Sequence, residues 1–168
     1  MKNLFLLRHA KSSWDNAALG DFDRPLSKKG ISNAIQLSEY IQKHSISFDL
    51  VLCSPSERTQ STLDLVLSSV DPIPVITLKE SIYHASASNL SKLITEQDEE
   101  INNLLIIGHN PGLHILIETL TNESIVKFPT CAFAKITNFN QWKDIDAGIL
   151  TLESLITPNE LKHDRFES

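Results

Sequence analysis

Two histidines each close an apolar run of this chain. Leu4–Leu7 leads directly into Arg8 and His9, and Leu104–Ile107 passes through Gly108 into His109. Between them Leu50-Val51-Leu52 leads to Ser54-Pro55-Ser56-Glu57-Arg58. Ligands of open α/β sheets bind at the carboxyl ends of the parallel strands. If these three runs are such strands, two imidazoles and two guanidinium groups meet on one rim. A transferring phosphoryl group spreads negative charge over its peripheral oxygens, and fixed positive charge stabilises it. Arginine suits that work because its planar fork grips two oxygens at once. A neutral imidazole attacks phosphorus through one nitrogen when a carbonyl or carboxylate keeps the proton on the other. His9 abuts Arg8 and is the expected nucleophile. His109, when protonated, is expected to donate to a phosphoryl oxygen.

The elements that must position these groups alternate between strand-like and helix-period segments, as βαβ units do. Asn3–Arg8 reads as the first strand and Ala10–Pro25 as a polar loop. Ser27 can cap a helix to about His44, with Ile31, Ala34, Ile35 and Ile41 inward. Leu50–Cys53 is the second strand. Ser54 as N-cap, Pro55 as first helical residue and Glu57 as box acid would open the next helix. Asp71-Pro72 stops it, Val75–Leu78 is a third strand, Ser88–Glu96 a short helix, and Leu104–Ile107 the fourth strand. Asn110-Pro111 repeats the cap pattern before a helix over Leu113–Leu120. Ala132–Thr137 and Gly148–Leu155 then form a hairpin. The expected fold is α/β in three layers: a mostly parallel central sheet, helices on both faces and an antiparallel edge. Free N–H groups at the helix starts after the second and fourth strands would add positive potential at the rim.

The chain has 168 residues and a formal net charge of −6. This length suits one domain, read as 1–158, followed by a polar tail over 159–168 expected to fray. An acidic chain lacks the basic stripe of a general nucleic-acid binder. No apolar run reaches the ~18 residues of a membrane span, and Leu4–Leu7 is too short for a secretory signal core. A cytoplasmic monomer is expected, with Cys53 and Cys131 as buried reduced thiols.

The residues Leu6-Leu7-Arg8-His9-Ala10-Lys11-Ser12-Ser13-Trp14 resemble the histidine phosphatase superfamily, the phosphoglycerate-mutase-like group. So do Asp21-Phe22-Asp23-Arg24-Pro25-Leu26 with Gly30, Ser54-Pro55 with Arg58-Thr59, and Gly108-His109-Asn110-Pro111-Gly112. Within the superfamily the pattern is closest to the SixA-type phosphohistidine phosphatase branch. The resemblance implies a phosphohistidine intermediate on His9, with Arg8, Arg58 and His109 as phosphate-pocket partners. Arg24 looks like the branch's additional pocket arginine, and Asn110 joins the phosphate-binding set. Ala10 stands where the superfamily's motif has glycine. Related enzymes place a carboxylic acid after the third strand to protonate the leaving oxygen, and Glu80 sits at the matching place. Asp21 and Asp23 are expected to hold Arg24. The implied reaction is hydrolysis without metal or organic cofactor. Its substrate would be a phosphorylated protein, such as a histidine phosphotransfer domain of a signalling system, or a small phosphoester.

Four rival readings have their own residues. A cysteine-dependent phosphatase uses Cys-x5-Arg, whereas Cys53 and Arg58 are one residue short of it, with Glu57 between. A metallohydrolase would draw on His9, His84, His109 and His114, but His109 and His114 are spaced poorly for one helix face. A non-catalytic phosphoprotein-binding module would keep the same pocket. A mutase would carry larger insertions around it.

Overall fold

The computed structural model describes residues 1–167, and side chains through residue 162. Six strands form one sheet: β1 (Asn3–Arg8), β2 (Leu50–Cys53), β3 (Val75–Leu78), β4 (Asn103–Gly108), β5 (Phe133–Thr137) and β6 (Thr151–Ile156). Their order is β3-β2-β4-β1-β5-β6. The first four are mutually parallel, and β5 and β6 add an antiparallel edge. The helices are α1 (Lys28–Lys43), α2 (Glu57–Val66), α3 (Ala87–Thr95), α4 (Gly112–Thr121) and α5 (Pro158–Glu167).

Strand alternation divides the core in two. Leu4 and Leu6 of β1 and Leu104 and Ile106 of β4 face α3 and α4, meeting Leu90, Ile94, Leu113 and Ile117. Phe5 and Leu7, with Leu105 and Ile107, face the other layer, meeting Leu37, Ile41, Leu63, Val66 and Leu161. Strands buried on both faces are continuous apolar runs, as parallel sheets require. Each such side chain contributes on the order of 2 kcal/mol by leaving water.

Three local expectations change. Helix α1 is capped by Ser27, whose Oγ accepts the Gly30 amide at 3.0 Å. Its inward residues are Ala34, Leu37 and Ile41, whereas Ile31 and Ile35 are exposed at 42% and 44%. The buried spacing of 34, 37 and 41 is the narrower helical stripe. Helix α2 is capped by Ser56, not Ser54, through a bond from the Thr59 amide. The segment expected as a polar tail forms α5 as far as Glu167, and its Leu161 is buried against the second core layer. Ser168 lies outside the described residues. Among the described residues no helix is long and apolar enough to cross a membrane.

Gly30 ties this scaffold to the loop after β1. A Cβ there would lie 2.1 Å from the Lys11 carbonyl oxygen, which also accepts the Ser27 amide at 2.9 Å. Gly30→Ala is expected to cost about 1–3 kcal/mol through overpacking. Because the displaced carbonyl belongs to the loop beside His9, tungstate affinity should fall with Tm. Thermal melts with and without tungstate check both.

Candidate active site

The carboxyl ends of β1, β4 and β2 are adjacent, so the three motifs meet. Arg8 pairs with Gly108 in the β1–β4 ladder, and the His9 amide donates to the Gly108 carbonyl at 3.1 Å. The next side chains on the two strands are His9 and His109, with ring centroids 5.3 Å apart. The Ser54 amide donates to the Ile107 carbonyl at 3.0 Å, which brings the end of β2 against β4. A cavity of about 550 Å³ opens here, lined by Arg8, His9, Arg24, Arg58, His109 and Asn110 among others.

His9 is prepared at both ring nitrogens. Nδ1 lies 2.7 Å from the Ala10 carbonyl oxygen. A carbonyl only accepts, so the proton resides on Nδ1 and Nε2 keeps its lone pair. The Arg58 Nε–H reaches that nitrogen at 3.4 Å, a long contact that an incoming acceptor can replace. Burial is the main force that lowers the His9 pKa to about 4, with help from Arg58, Arg8 and Arg24 and against the Ala10 carbonyl. The Ala10 methyl is buried and its φ is not positive. Its amide donates to Thr62 Oγ1 at 2.9 Å, which ties the loop to α2.

His109 is held neutral in this state. Its Nδ1 faces Arg58 Nη2 at 3.5 Å, and its Nε2 lies 2.8 Å from Ser54 Oγ. A guanidinium only donates, so Nδ1 accepts and the Nε2–H donates to Ser54. Burial first, then His9, Arg58 and His84, lower its pKa to about 3. A phosphoryl dianion nearby favours the charged ring. The proton His109 would donate must therefore come with the ligand.

Arg58 is the hub. It is 5% exposed and touches both imidazoles. It also donates to the Asp21 carbonyl at 2.6 Å and to Asp21 Oδ2 at 3.0 Å. Arg24 donates to Ser12 Oγ and to Asp21 Oδ1, and its guanidinium carbon lies 3.5 Å from the centre of the Trp14 ring. Arg8 donates to the Phe128 carbonyl at 3.2 Å, and burial with the Arg58 charge lowers its pKa. Tyr83 gives Asp21 a third donor at 2.5 Å. The Tyr83 hydroxyl and the two arginines hold the Asp21 carboxyl well below the usual carboxylate range. The buried Nε groups of Arg8 and Arg24 have no partner among the described residues. Buried donors are usually paired, so these two are available to an incoming acceptor. Three guanidinium groups against one carboxylate leave two net positive charges, the complement of a phosphoryl dianion.

The low histidine pKa values set a pH dependence. Unfolded imidazoles titrate near ~6.5, whereas His9 and His109 stay neutral in the fold until about 4 and about 3. Between these limits the unfolded chain binds more protons, so stability falls as pH drops from ~6.5 toward 4. Melts across that range should show the loss, and it should shrink in a His9→Gln, His109→Gln double variant. The neutral His9 needed for attack persists to the same limit. The acid limb of kcat/KM due to His9 should then lie near pH 4.

The sequence profile described as histidine phosphatase superfamily (branch 1) matches residues 4–82. An uncharacterised chloroplastic protein of Arabidopsis thaliana is 32% identical over 172 residues, covering 94% of this chain and 78% of that protein. The chain belongs to the histidine phosphatase superfamily. Among solved structures, the candidate phosphohistidine phosphatase SixA of Agrobacterium tumefaciens superposes with a TM-score of 0.81 at 25% identity, over 94% of this chain and 98% of that one. A protein histidine phosphatase SixA complexed with tungstate shares the fold at a TM-score of 0.81 and 22% identity, over 95% of this chain and 99% of that one. The three-layer fold is that of the phosphoglycerate-mutase-like histidine phosphatases.

Not every residue singled out in this histidine phosphatase sequence reaches the cavity. Arg8, His9, Arg24, Arg58, His109 and Asn110 line it. Glu80 does not: it is exposed on a short turn after β3 and is not among the lining residues. Asn110 turns its amide nitrogen to the Phe128 carbonyl at 2.8 Å, the same carbonyl that receives Arg8. As placed it positions the 128–130 loop. Asp21 holds Arg24 as expected, and in addition holds Arg58. Cys53 is buried, with its thiol pushed up to about 12 mainly by that burial. A thiol in that state is a poor nucleophile. His114 pairs with Glu118 along α4 at 3.5 Å. Tyr83 and the stacking role of Trp14 are site features the sequence reading does not contain, while Ser54 enters it only as a cap and motif residue and His84 only as a metal-ligand candidate. Ser54 had a visible signal, being first after β2 just as His9 follows β1. Tyr83 had none.

Proposed function

We propose that this chain is a phosphohistidine phosphatase that works through a covalent phosphohistidine on His9. The carrying observation is the prepared His9 ring: Nδ1 committed to the Ala10 carbonyl, and Nε2 directed to Arg58. Its superfamily and its SixA neighbours support a phosphatase. In the proposed reaction Arg8, Arg24 and Arg58 take the peripheral oxygens, and Asp21 gives up its arginine contacts to them. His9 Nε2 attacks phosphorus and the leaving group departs on the opposite side. Water then attacks the phosphohistidine and releases phosphate. Each step uses only side chains of this chain and water. The proposed substrate is a phosphorylated histidine on a signalling protein, with small phosphoesters as the lesser one. Lys11, Lys29 and Lys127, which line the cavity of an otherwise acidic molecule, suit an acidic protein surface.

The test is turnover of a panel of phosphorylated histidine phosphotransfer domains against small phosphoesters. The phosphohistidine reading expects kcat/KM at least ~10-fold higher on the best protein substrate. Equal or better turnover of small phosphoesters would remove it.

A further inference from the structure

We propose that His84 is the acid that protonates the leaving atom and the base that then takes a proton from the attacking water. The proposal rests on the phosphatase reading above and adds the group that reading lacks.

Departure of nitrogen or oxygen from phosphorus leaves a strong base unless a proton is supplied, and a positioned acid is worth about 10²–10⁴ in rate. The obvious groups in the cavity are occupied. The His9 Nδ1 proton is bonded to Ala10, the His109 Nε2 proton to Ser54, and the Nδ1 proton that His109 takes up with the ligand serves a phosphoryl oxygen. Asp21 is an ionised acceptor of three donors, one of them the Tyr83 hydroxyl. Glu80 lies outside the lining. His84 lines the cavity, and among the described residues no hydrogen bond or ion pair engages its ring nitrogens.

Its place fits the geometry of displacement. His109 neighbours both other imidazoles, with 5.3 Å between the ring centres of His9 and His109 and 6.4 Å between those of His109 and His84. A second hollow of about 950 Å³ runs between α3 and α4 and is lined by Ala85, Ser86, Ile115 and Thr119. Among the described residues, His84, His109 and Asn110 alone line both it and the phosphate cavity. Phosphoryl transfer keeps nucleophile and leaving group roughly in line. With the phosphoryl group held by the arginines and His9, the proposal directs the leaving group toward the second hollow, past His84.

The ring is also held there. His84 has φ of 60°, a region that non-glycine residues rarely adopt and that is maintained by the surrounding structure. Tyr83 packs on it at 3.9 Å between centroids. The following residue is fixed by Gly112, where a Cβ would lie 2.3 Å from the Ala85 carbonyl oxygen. A side chain at 112 would push the 84–85 turn off the start of α4.

The protons balance. In the first step the His9 Nε2–phosphorus bond forms, the bond from phosphorus to the leaving atom breaks, and the leaving atom takes the proton of the His84 imidazolium. In the second, water oxygen bonds phosphorus, the His9–phosphorus bond breaks, and neutral His84 accepts the water proton. The enzyme returns to its starting state.

The test compares wild type, His84→Gly and His84→Asn, both residues that tolerate positive φ, across aryl and alkyl phosphates of rising leaving-group basicity. Tungstate affinity and Tm report whether the cavity persists. The proposal expects little loss with p-nitrophenyl phosphate in the first step and about 10²–10³-fold loss with phenyl and alkyl phosphates. Phosphoenzyme should accumulate because its hydrolysis slows, and added imidazole should restore turnover of His84→Gly. An equal loss for every leaving group, or no loss, with wild type still labelled at His9, overturns the role of His84 alone. A wild type that never labels His9 overturns the phosphatase mechanism and this proposal with it.

Discussion

His9→Ala is expected to abolish phosphoenzyme formation and lower turnover by about 10⁴-fold or more, the scale on which removal of a covalent nucleophile acts. The same variant should still bind tungstate, because Arg8, Arg24 and Arg58 are anchored independently of the ring: Arg8 on Phe128, Arg24 on Ser12 and Asp21, Arg58 on Asp21. Its Tm should also fall less than that of wild type as pH drops below ~6.5, since it removes an imidazole whose pKa the fold lowers to about 4. Rapid-quench labelling with a phosphorylated substrate, together with a tungstate titration, separates these outcomes. Loss of tungstate binding along with activity would make His9 a structural member of the pocket. Label retained after His9→Ala would assign the attack to another residue.

Arg58→Lys is expected to cost about 10²–10³-fold in kcat/KM although the charge is kept. Arg58 serves four acceptors at once: His9 Nε2, His109 Nδ1, the Asp21 carbonyl and the Asp21 carboxylate. A lysine ammonium is a single point on a flexible stem and cannot hold that fan of directions. Arg58→Met removes the charge as well. Since that charge is one of the influences lowering the His9 pKa, its loss raises the pKa. The acid limb of kcat/KM in Arg58→Met should move upward from about pH 4, whereas in Arg58→Lys it should stay nearer wild type. pH–rate profiles of the two variants make the comparison, and identical limbs in both would remove Arg58 from the electrostatic control of His9.

Much of the architecture was legible because parallel strands buried on two faces leave a plain mark in the chain. Leu4–Leu7 and Leu104–Ile107 are continuous apolar runs, and both are central strands. The late hairpin was legible from its β-like composition. Cap positions were less so. Ser54 and Ser56 are equally good caps by type, and what separates them is that Ser54 Oγ is taken by His109. The tail was misjudged because α5 has little amphipathic pattern, and among the described residues Leu161 is the buried side chain that docks it. Glu80 was expected at the site from its place after β3, but a position in sequence does not specify which way a turn directs its side chain.

By itself the sequence determined the chemical inventory: two strand-end imidazoles, the arginines beside them, and the apolar runs that carry them to a sheet. Those are properties of residue type and short-range periodicity. Only the tertiary structure decided the rest. Placing β4 between β1 and β2 is a long-range pairing, and it sets His9 beside His109 and Ser54 beneath it. The tautomer of each ring, the depth of the pKa shifts, the clasp of Asp21 on two arginines and the arrival of His84 all follow from burial and from neighbours distant in the chain. No local pattern encodes them, because electrostatic and hydrogen-bond energies depend on which groups meet and how much water is excluded when they do.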